Sequence, residues 1–223
     1  MPRSEKAKAP LKSNRLPPNQ AALDELRVLT YGPTPKIDLA KWRFGLFGLV
    51  EKETELTWEQ FQALPKTKLV ADFHCGTQWS VLDNTWEGVT PRDIAALARP
   101  APRAKFVMVH CFGGYTTNLS LDDFMQPDVL FAYRRNGKEL PLDNGWPLRL
   151  IVPKLYAWKS AKWVSGLEYR ASDAPGFYES RGYNNRGDPW KDERFWPDLQ
   201  KDFAITLAIC GTPEVSGQRD KDS

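Results

Sequence analysis

No apolar run in this 223-residue chain exceeds the length of a strand or a short core helix. The longest, Phe44 to Val50 and Phe203 to Cys210, fall far below the ~20 residues that cross a bilayer. The chain must therefore build its core from many short elements. With 41% hydrophobic and 26% charged residues it has an ordinary globular composition, long enough for one domain, or at most two, with a real interior.

The local signals alternate between strand and helix. Trp42 to Val50, Lys68 to His74, Lys105 to Cys111, Leu148 to Val152 and Lys162 to Tyr169 read as strands. Thr57-Trp-Glu-Gln60 is a capping box, and a helix opened there must end before Pro65. Thr90-Pro91-Arg92-Asp93 places an N-cap, a proline at the first helical position and an acid at the third, ahead of a helix to Arg99. Ser120 to Asp123 opens another short helix. Asn136-Gly137 between two β-rich runs is the strongest hairpin signal. Short helices among many strands, without βαβ spacing, predict an α+β fold with mixed sheets.

The net charge is +3, and residues 1–20 carry all of it. Arg3, Lys6, Lys8, Lys12 and Arg15 against Glu5 give +4, leaving −1 for the rest. Bulk charge gives a nucleic-acid role no support. With Pro2, Pro10, Pro17 and Pro18, residues 1–20 read as a disordered tail, as do residues 212–223, on either side of one domain spanning 21–211. No linker or fixed-period repeat divides that span. No signal-peptide pattern occurs, and Cys75, Cys111 and Cys210 are too few for a disulfide scaffold, so a cytoplasmic chain with reduced thiols is expected. Nine tryptophans imply a rigid aromatic interior or pocket, without deciding between them.

Both histidines directly precede a cysteine, in His74-Cys75 and His110-Cys111. Two His and two Cys would complete a zinc site, but neighbours on a strand face opposite ways and CxxC spacing is absent. A cysteine nucleophile with His110 as its base has no sequence signature here. A cysteine in an apolar run is usually a small buried hydrophobe, the reading for Cys111 and Cys210. Cys75 differs, because Gly76-Thr77-Gln78 turns the chain and can present the thiol to a pocket. Arg149 stands in an apolar strand, where an unpaired guanidinium is expensive, so a carboxylate or a bound anion should meet it. Lys159, Ser160 and Lys162 complete either a phosphate clamp or the solvated face of a strand.

Asp72-Phe-His-Cys75-Gly-Thr-Gln-Trp79, Gly114-Tyr-Thr-Thr-Asn118 and Asn144-Gly-Trp-Pro-Leu-Arg149 through Lys159-Ser-Ala-Lys162 together resemble the molybdopterin-binding domain of the sulfite oxidase family. The resemblance runs from about Leu29 to Trp196, and is in particular to small bacterial members related to the catalytic subunit of a methionine sulfoxide reductase. It implies the sulfite oxidase fold around a molybdenum–molybdopterin cofactor. Cys75 matches the family's molybdenum ligand and so the catalytic position. Asn144, Arg149, Ser160, Ala161 and Lys162 match cofactor-binding positions. Cys111 falls where relatives can place a cofactor-contacting threonine, and Thr30 and Tyr31 lie near an N-terminal cofactor segment.

The implied activity is that of an oxidoreductase transferring an oxygen atom to or from a small oxyanion, S-oxide or N-oxide. The alternative is a non-catalytic molybdopterin carrier. No CxxCH haem motif occurs, so a separate electron-transfer partner is expected, as is a monomer. Trp79, Tyr156 and Trp158 could wall the site. Sulfite would need clustered arginines, for which Arg103, Arg134, Arg135, Arg170, Arg181 and Arg186 are the candidates.

Overall fold

A computed structural model describes residues 13–197. The C-terminal tail, the Phe203 to Cys210 run with its cysteine, and residues 1–12 lie outside the described residues.

Among the described residues eleven strands form two mixed sheets. The first contains β1 (Ala21–Leu23), β4 (Thr67–Cys75), β5 (Trp79–Val89), β8 (Leu130–Arg135), β9 (Lys138–Glu139) and β10 (Arg149–Ile151). Its spine is β5, antiparallel to β4 along one edge. The other edge is shared, with β1 parallel to its start and β8 antiparallel to its end. The β5–β8 register shifts between Glu87 and Gly88. Only glycine fits there, because a Cβ on Gly88 would lie 2.0 Å from the Phe131 carbonyl oxygen. The second sheet runs β3 (Thr54–Thr57), β2 (Arg43–Gly48), β11 (Val164–Arg170), β6 (Phe106–Cys111), β7 (Thr116–Ser120), and only its β2–β11 pair is parallel.

The short helices α1 (Trp58–Gln62), α2 (Pro91–Ala98) and α3 (Leu121–Phe124) start where the sequence places them. Thr57 and Gln60 close the capping box reciprocally, and Thr90 and Ser120 each accept the N–H of the residue three positions on. Asn136 and Gly137 both take positive φ between β8 and β9, as a tight hairpin turn demands. The mixed sheets bear out the α+β expectation. Phe44, Leu46, Val107, Val109 and Leu167 of the second sheet share a core with Val89, Phe131 and Leu150 of the first. No helix among the described residues is long and apolar enough to cross a membrane.

The sequence does not announce β5. Its alternation is broken by Asp83, Asn84 and Glu87, and Asp83-Asn84 and Gly88 read as turn residues; its three partner strands, not its composition, make it the spine. Residues 13–20, expected as tail, lie against the first sheet. Arg15 pairs with Asp72 at 2.6 Å and Asp83 at 2.8 Å, and Pro17 is buried. Opposite charge held close lets a polar, proline-rich segment dock with little apolar area.

Candidate active site

The β4–β5 hairpin ends in the three-residue turn Gly76-Thr77-Gln78, which Gln78 closes by taking positive φ and donating its N–H to the Cys75 carbonyl. The turn brings the Cys75 thiol to a cavity of about 160 Å³. Strand alternation sends His74 the other way, to Ser80 Oγ at 2.8 Å and the edge of Trp190. Burial pushes the Cys75 thiol pKa up. Hydrogen bonding with Thr77, whose Oγ1 lies 3.1 Å from Sγ, and the charges of Arg27 and Arg149 oppose that shift.

Across the cavity stand Asn144, Arg149, Ser160, Ala161 and Lys162, with Thr30 and Tyr31 at its edge. Gly145, at φ +112°, is needed for this approach, because a Cβ would lie 2.9 Å from that of Arg149 and 3.2 Å from that of Lys162. Arg149 is 4% exposed. It donates to the Asn144 carbonyl at 2.9 Å and the Ser160 carbonyl at 3.0 Å, and its Nε has no partner. No ion pair with a carboxylate is seen among the described residues, which leaves the second expected partner, an anion. Burial, then the charge of Arg135, pulls its pKa down to about 9, still cationic at neutral pH.

Lys162 Nζ donates to the carbonyls of Leu29 and Asp143, both at 2.8 Å, and lies over the Trp163 ring. Burial, then the Arg149 charge, lowers it to about 7. Ser160 Oγ accepts the Val152 N–H at 2.9 Å, leaving its own proton to donate.

Two expected residues are elsewhere. Cys111 does not line the cavity but lies in the core shared by the sheets, where burial drives its thiol pKa far up. Lys159, the first cation of the expected clamp, turns away. It is fully buried, 2.6 Å from Glu179 and bonded to both the backbone and side-chain oxygens of Asn118. A 3-10 turn over Ala157–Lys159 breaks strand periodicity, so the two lysines face opposite interiors. Trp79 and Trp158 do wall the cavity. Tyr156 lies behind, stacked on Trp158 and donating to Asp192.

The sequence reading missed Arg27, Tyr115, Tyr178 and Tyr183, which complete the lining. Tyr178 and Tyr183 come from the segment after β11, and only tertiary packing brings them near Cys75. Tyr115 could have been suspected from its place within the Gly114 to Asn118 motif. His110 bonds Glu168 at 3.1 Å and packs on Phe47, away from Cys75. Among the described residues no group of three or more His, Cys, Asp or Glu side chains could hold a metal ion by itself.

The donor set fits an anionic, acceptor-rich cofactor with a soft metal. Arg149 Nε and the indole N–H groups of Trp79 and Trp158 are buried donors without partners. Arg149 and Lys162 would meet a terminal phosphate's charge, and the Cys75 sulfur is a ligand that a metal would deprotonate.

Comparison with known proteins gives one family. The model described as "Oxidoreductase molybdopterin binding domain" matches residues 31–178, inside the 29–196 span of the sequence resemblance. An uncharacterized oxidoreductase of Bacillus subtilis, YuiH, is 44% identical over 82% of this chain and 93% of its own. Sulfite oxidase of Arabidopsis thaliana is 27% identical over 83% of this chain. A putative protein-methionine-sulfoxide reductase subunit of Azospira oryzae is 28% identical over 67%. The chain spans only 57% and 56% of those two proteins. Among solved structures, the sulfane dehydrogenase SoxCD of Paracoccus pantotrophus superposes with a TM-score of 0.59 at 22% identity, covering 67% of this chain and 42% of that one. That likeness speaks to the fold alone.

Proposed function

The chain belongs to the oxidoreductase molybdopterin-binding domain family, a sulfite oxidase-like group of molybdopterin-dependent enzymes, and from that premise we propose that its Cys75 cavity catalyses oxygen-atom transfer on a small neutral S-oxide or N-oxide. The carrying observation is the meeting, in one cavity, of a buried thiol with two cations that make no carboxylate pair among the described residues. A carrier that only passed the cofactor on would have no need of that thiol.

When bound, the cofactor supplies a molybdenum centre that changes oxidation state by two as one oxygen atom is transferred. The chain's own residues do the rest. Arg149 and Lys162 would hold the terminal phosphate, with Asn144, Ser160 and Ala161 beside them, and Thr30 and Tyr31 would be left for the pterin. Cys75 would serve as the sulfur ligand, its anionic form favoured by Thr77, Arg27 and Arg149. The rings of Trp158, Tyr178 and Tyr183 exclude water from the ligand side.

The arginines select among substrates. None of Arg103, Arg134, Arg135, Arg170, Arg181 and Arg186 lines the cavity. Arg135 bonds Asn84 and Glu25, Arg170 bonds Glu168, Arg186 bonds Asp123, and Arg181 stacks on Phe177. With Arg149 and Lys162 engaged by the cofactor, Arg27 alone is left for a substrate, and the remaining wall is aromatic. A neutral oxide suits such a wall better than a doubly charged oxyanion.

The test is elemental analysis for molybdenum and zinc on protein from a host that makes the cofactor, followed by turnover with a viologen dye. Near one molybdenum per chain, with dye-driven reduction of sulfoxides and no sulfite oxidation, is expected. Zinc without molybdenum would refute the reading. The proposal includes a separate electron-transfer protein, a monomer and a cytoplasmic location, checked by co-purification, light scattering and fractionation.

A further inference from the structure

The family match begins at residue 31, yet a residue ahead of it touches the thiol-bearing turn. Gln20 Nε2 donates to the Cys75 carbonyl at 3.0 Å, and Gln20 Oε1 accepts from Ser80 Oγ at 3.1 Å. One carboxamide thus bridges both strands of the hairpin, since Cys75 ends β4 and Ser80 lies in β5. Ser80 Oγ is itself 2.8 Å from His74 Nδ1. The next residue, Ala21, donates its N–H to the Gln78 carbonyl at 3.0 Å. Because Gln78 also donates to the Cys75 carbonyl, at 3.1 Å, both lone pairs of that oxygen are engaged.

Gln20 is held in place from both directions along the chain. Before it, Arg15 pairs with Asp72 and Asp83 and Pro17 is buried. After it, β1 joins β5 in register from Ala21 with Trp79 to Leu23 with Val81. A three-residue turn at the end of a hairpin is free to rock unless something outside the hairpin ties it down. The direction of a metal-ligating sulfur follows the backbone that carries it, so a donor on the ligand's own carbonyl sets that direction.

We propose that Gln20 is a positioning residue that fixes the Cys75 backbone and with it the direction of the sulfur toward the cofactor. The inference rests on Cys75 being the sulfur ligand, as proposed above. It gives the segment ahead of the family match a role in the active site.

The experiment uses the full-length, molybdenum-loaded protein. Gln20→Glu keeps the shape and can still accept from Ser80, but as a carboxylate offers no donor to the Cys75 carbonyl. Gln20→Ala removes both bonds. Asn19→Gly, which removes a contact with Asp192 and keeps the positive φ of that position unstrained, is the control from the same segment. Both Gln20 variants should lose molybdenum to a chelator about fivefold faster, the ratio for one hydrogen bond of roughly 1 kcal/mol. They should also shift the paramagnetic resonance spectrum of the partly reduced metal, while the unfolding midpoint falls by only about 2–4 °C for each hydrogen bond lost. Asn19→Gly should keep the wild-type spectrum and wild-type metal retention. A wild-type spectrum and wild-type retention in both Gln20 variants would overturn the inference. Cys75→Ser, measured alongside, separates the two levels: if it keeps the metal and the unaltered spectrum, the ligand assignment itself falls, whatever Gln20 does.

Discussion

The Arg149 guanidinium sits 5.0 Å from the ring centroid of Phe73 and 5.9 Å from that of Trp86. Two aromatic faces and two carbonyls surround a cation that no carboxylate neutralises, so the cofactor-free chain carries the burial cost for the sake of binding. Arg149→Met should raise the stability of that chain by about 1 kcal/mol or more, because the buried charge disappears while its volume is kept. The same variant should lower molybdenum content more than about tenfold, the effect of losing a charge-assisted contact. Urea unfolding and elemental analysis check both. A less stable variant with full metal would show the charge to be structural.

The two buried cysteines should separate cleanly. Cys75→Ser is expected to lose at least about 100-fold in turnover, since changes even to groups that merely support a metal's ligands cost 10 to 100-fold. Its fold should persist, because Thr77 can still bond the hydroxyl. Cys111→Ser places a hydroxyl in an apolar core and should destabilise by about 1–3 kcal/mol while leaving molybdenum content unchanged. Thermal unfolding and metal analysis of the pair check the contrast.

Anion binding should follow the charge of Lys162. In the free chain the amine titrates at about 7, and a bound dianion favours the ammonium, so affinity is fully present below pH 7 and is lost as pH rises through that value. The fall is up to about tenfold per pH unit until the bound-state pKa is reached. Arg149 keeps its charge throughout, so one fall is expected. Sulfate is the probe for calorimetry on the cofactor-free chain, because its charge is constant over this range. Lys162→Met should abolish the fall.

Lys159 and Glu179 form a fully buried pair at 2.6 Å, to which Thr117 also donates, and Glu179 Oε2 has no partner. Lys159→Met leaves that carboxylate uncompensated and should destabilise the protein by about 3–5 kcal/mol. Adding Glu179→Leu should recover most of the loss, since a well-packed apolar pair serves as well as an ionic one. Denaturant midpoints of the two variants decide this. No recovery in the double variant would mean that packing around the 3-10 turns at Ala157–Lys159 and Glu179–Arg181, and not charge, holds them together.

The capping box at Thr57, the N-caps at Thr90 and Ser120, the Asn136-Gly137 hairpin and the Cys75 turn were legible in the sequence, because caps and turns are local bargains between a side chain and the backbone within three or four residues. The cost of Arg149 in an apolar strand was legible for a related reason: burying a charge is expensive in any fold, so a partner had to be sought. Most of the expected cavity residues meet at one place on those grounds and on the order of the motifs. What local signals could not decide is which neighbour faces where once regular periodicity ends. Lys159 and Lys162 look equivalent in sequence, yet a 3-10 turn and the distant carboxylate of Glu179 take one into the interior and leave the other on the cavity. Cys111 lies in the core for the same kind of reason, because the face on which β6 is buried is set by the sheet it joins. The length of β5, the docking of Gln20 against Cys75 and the tyrosine wall from Tyr178 and Tyr183 depend on contacts between segments far apart in the chain. Only the packed structure contains those contacts, and there burial and partner availability outweigh local preference.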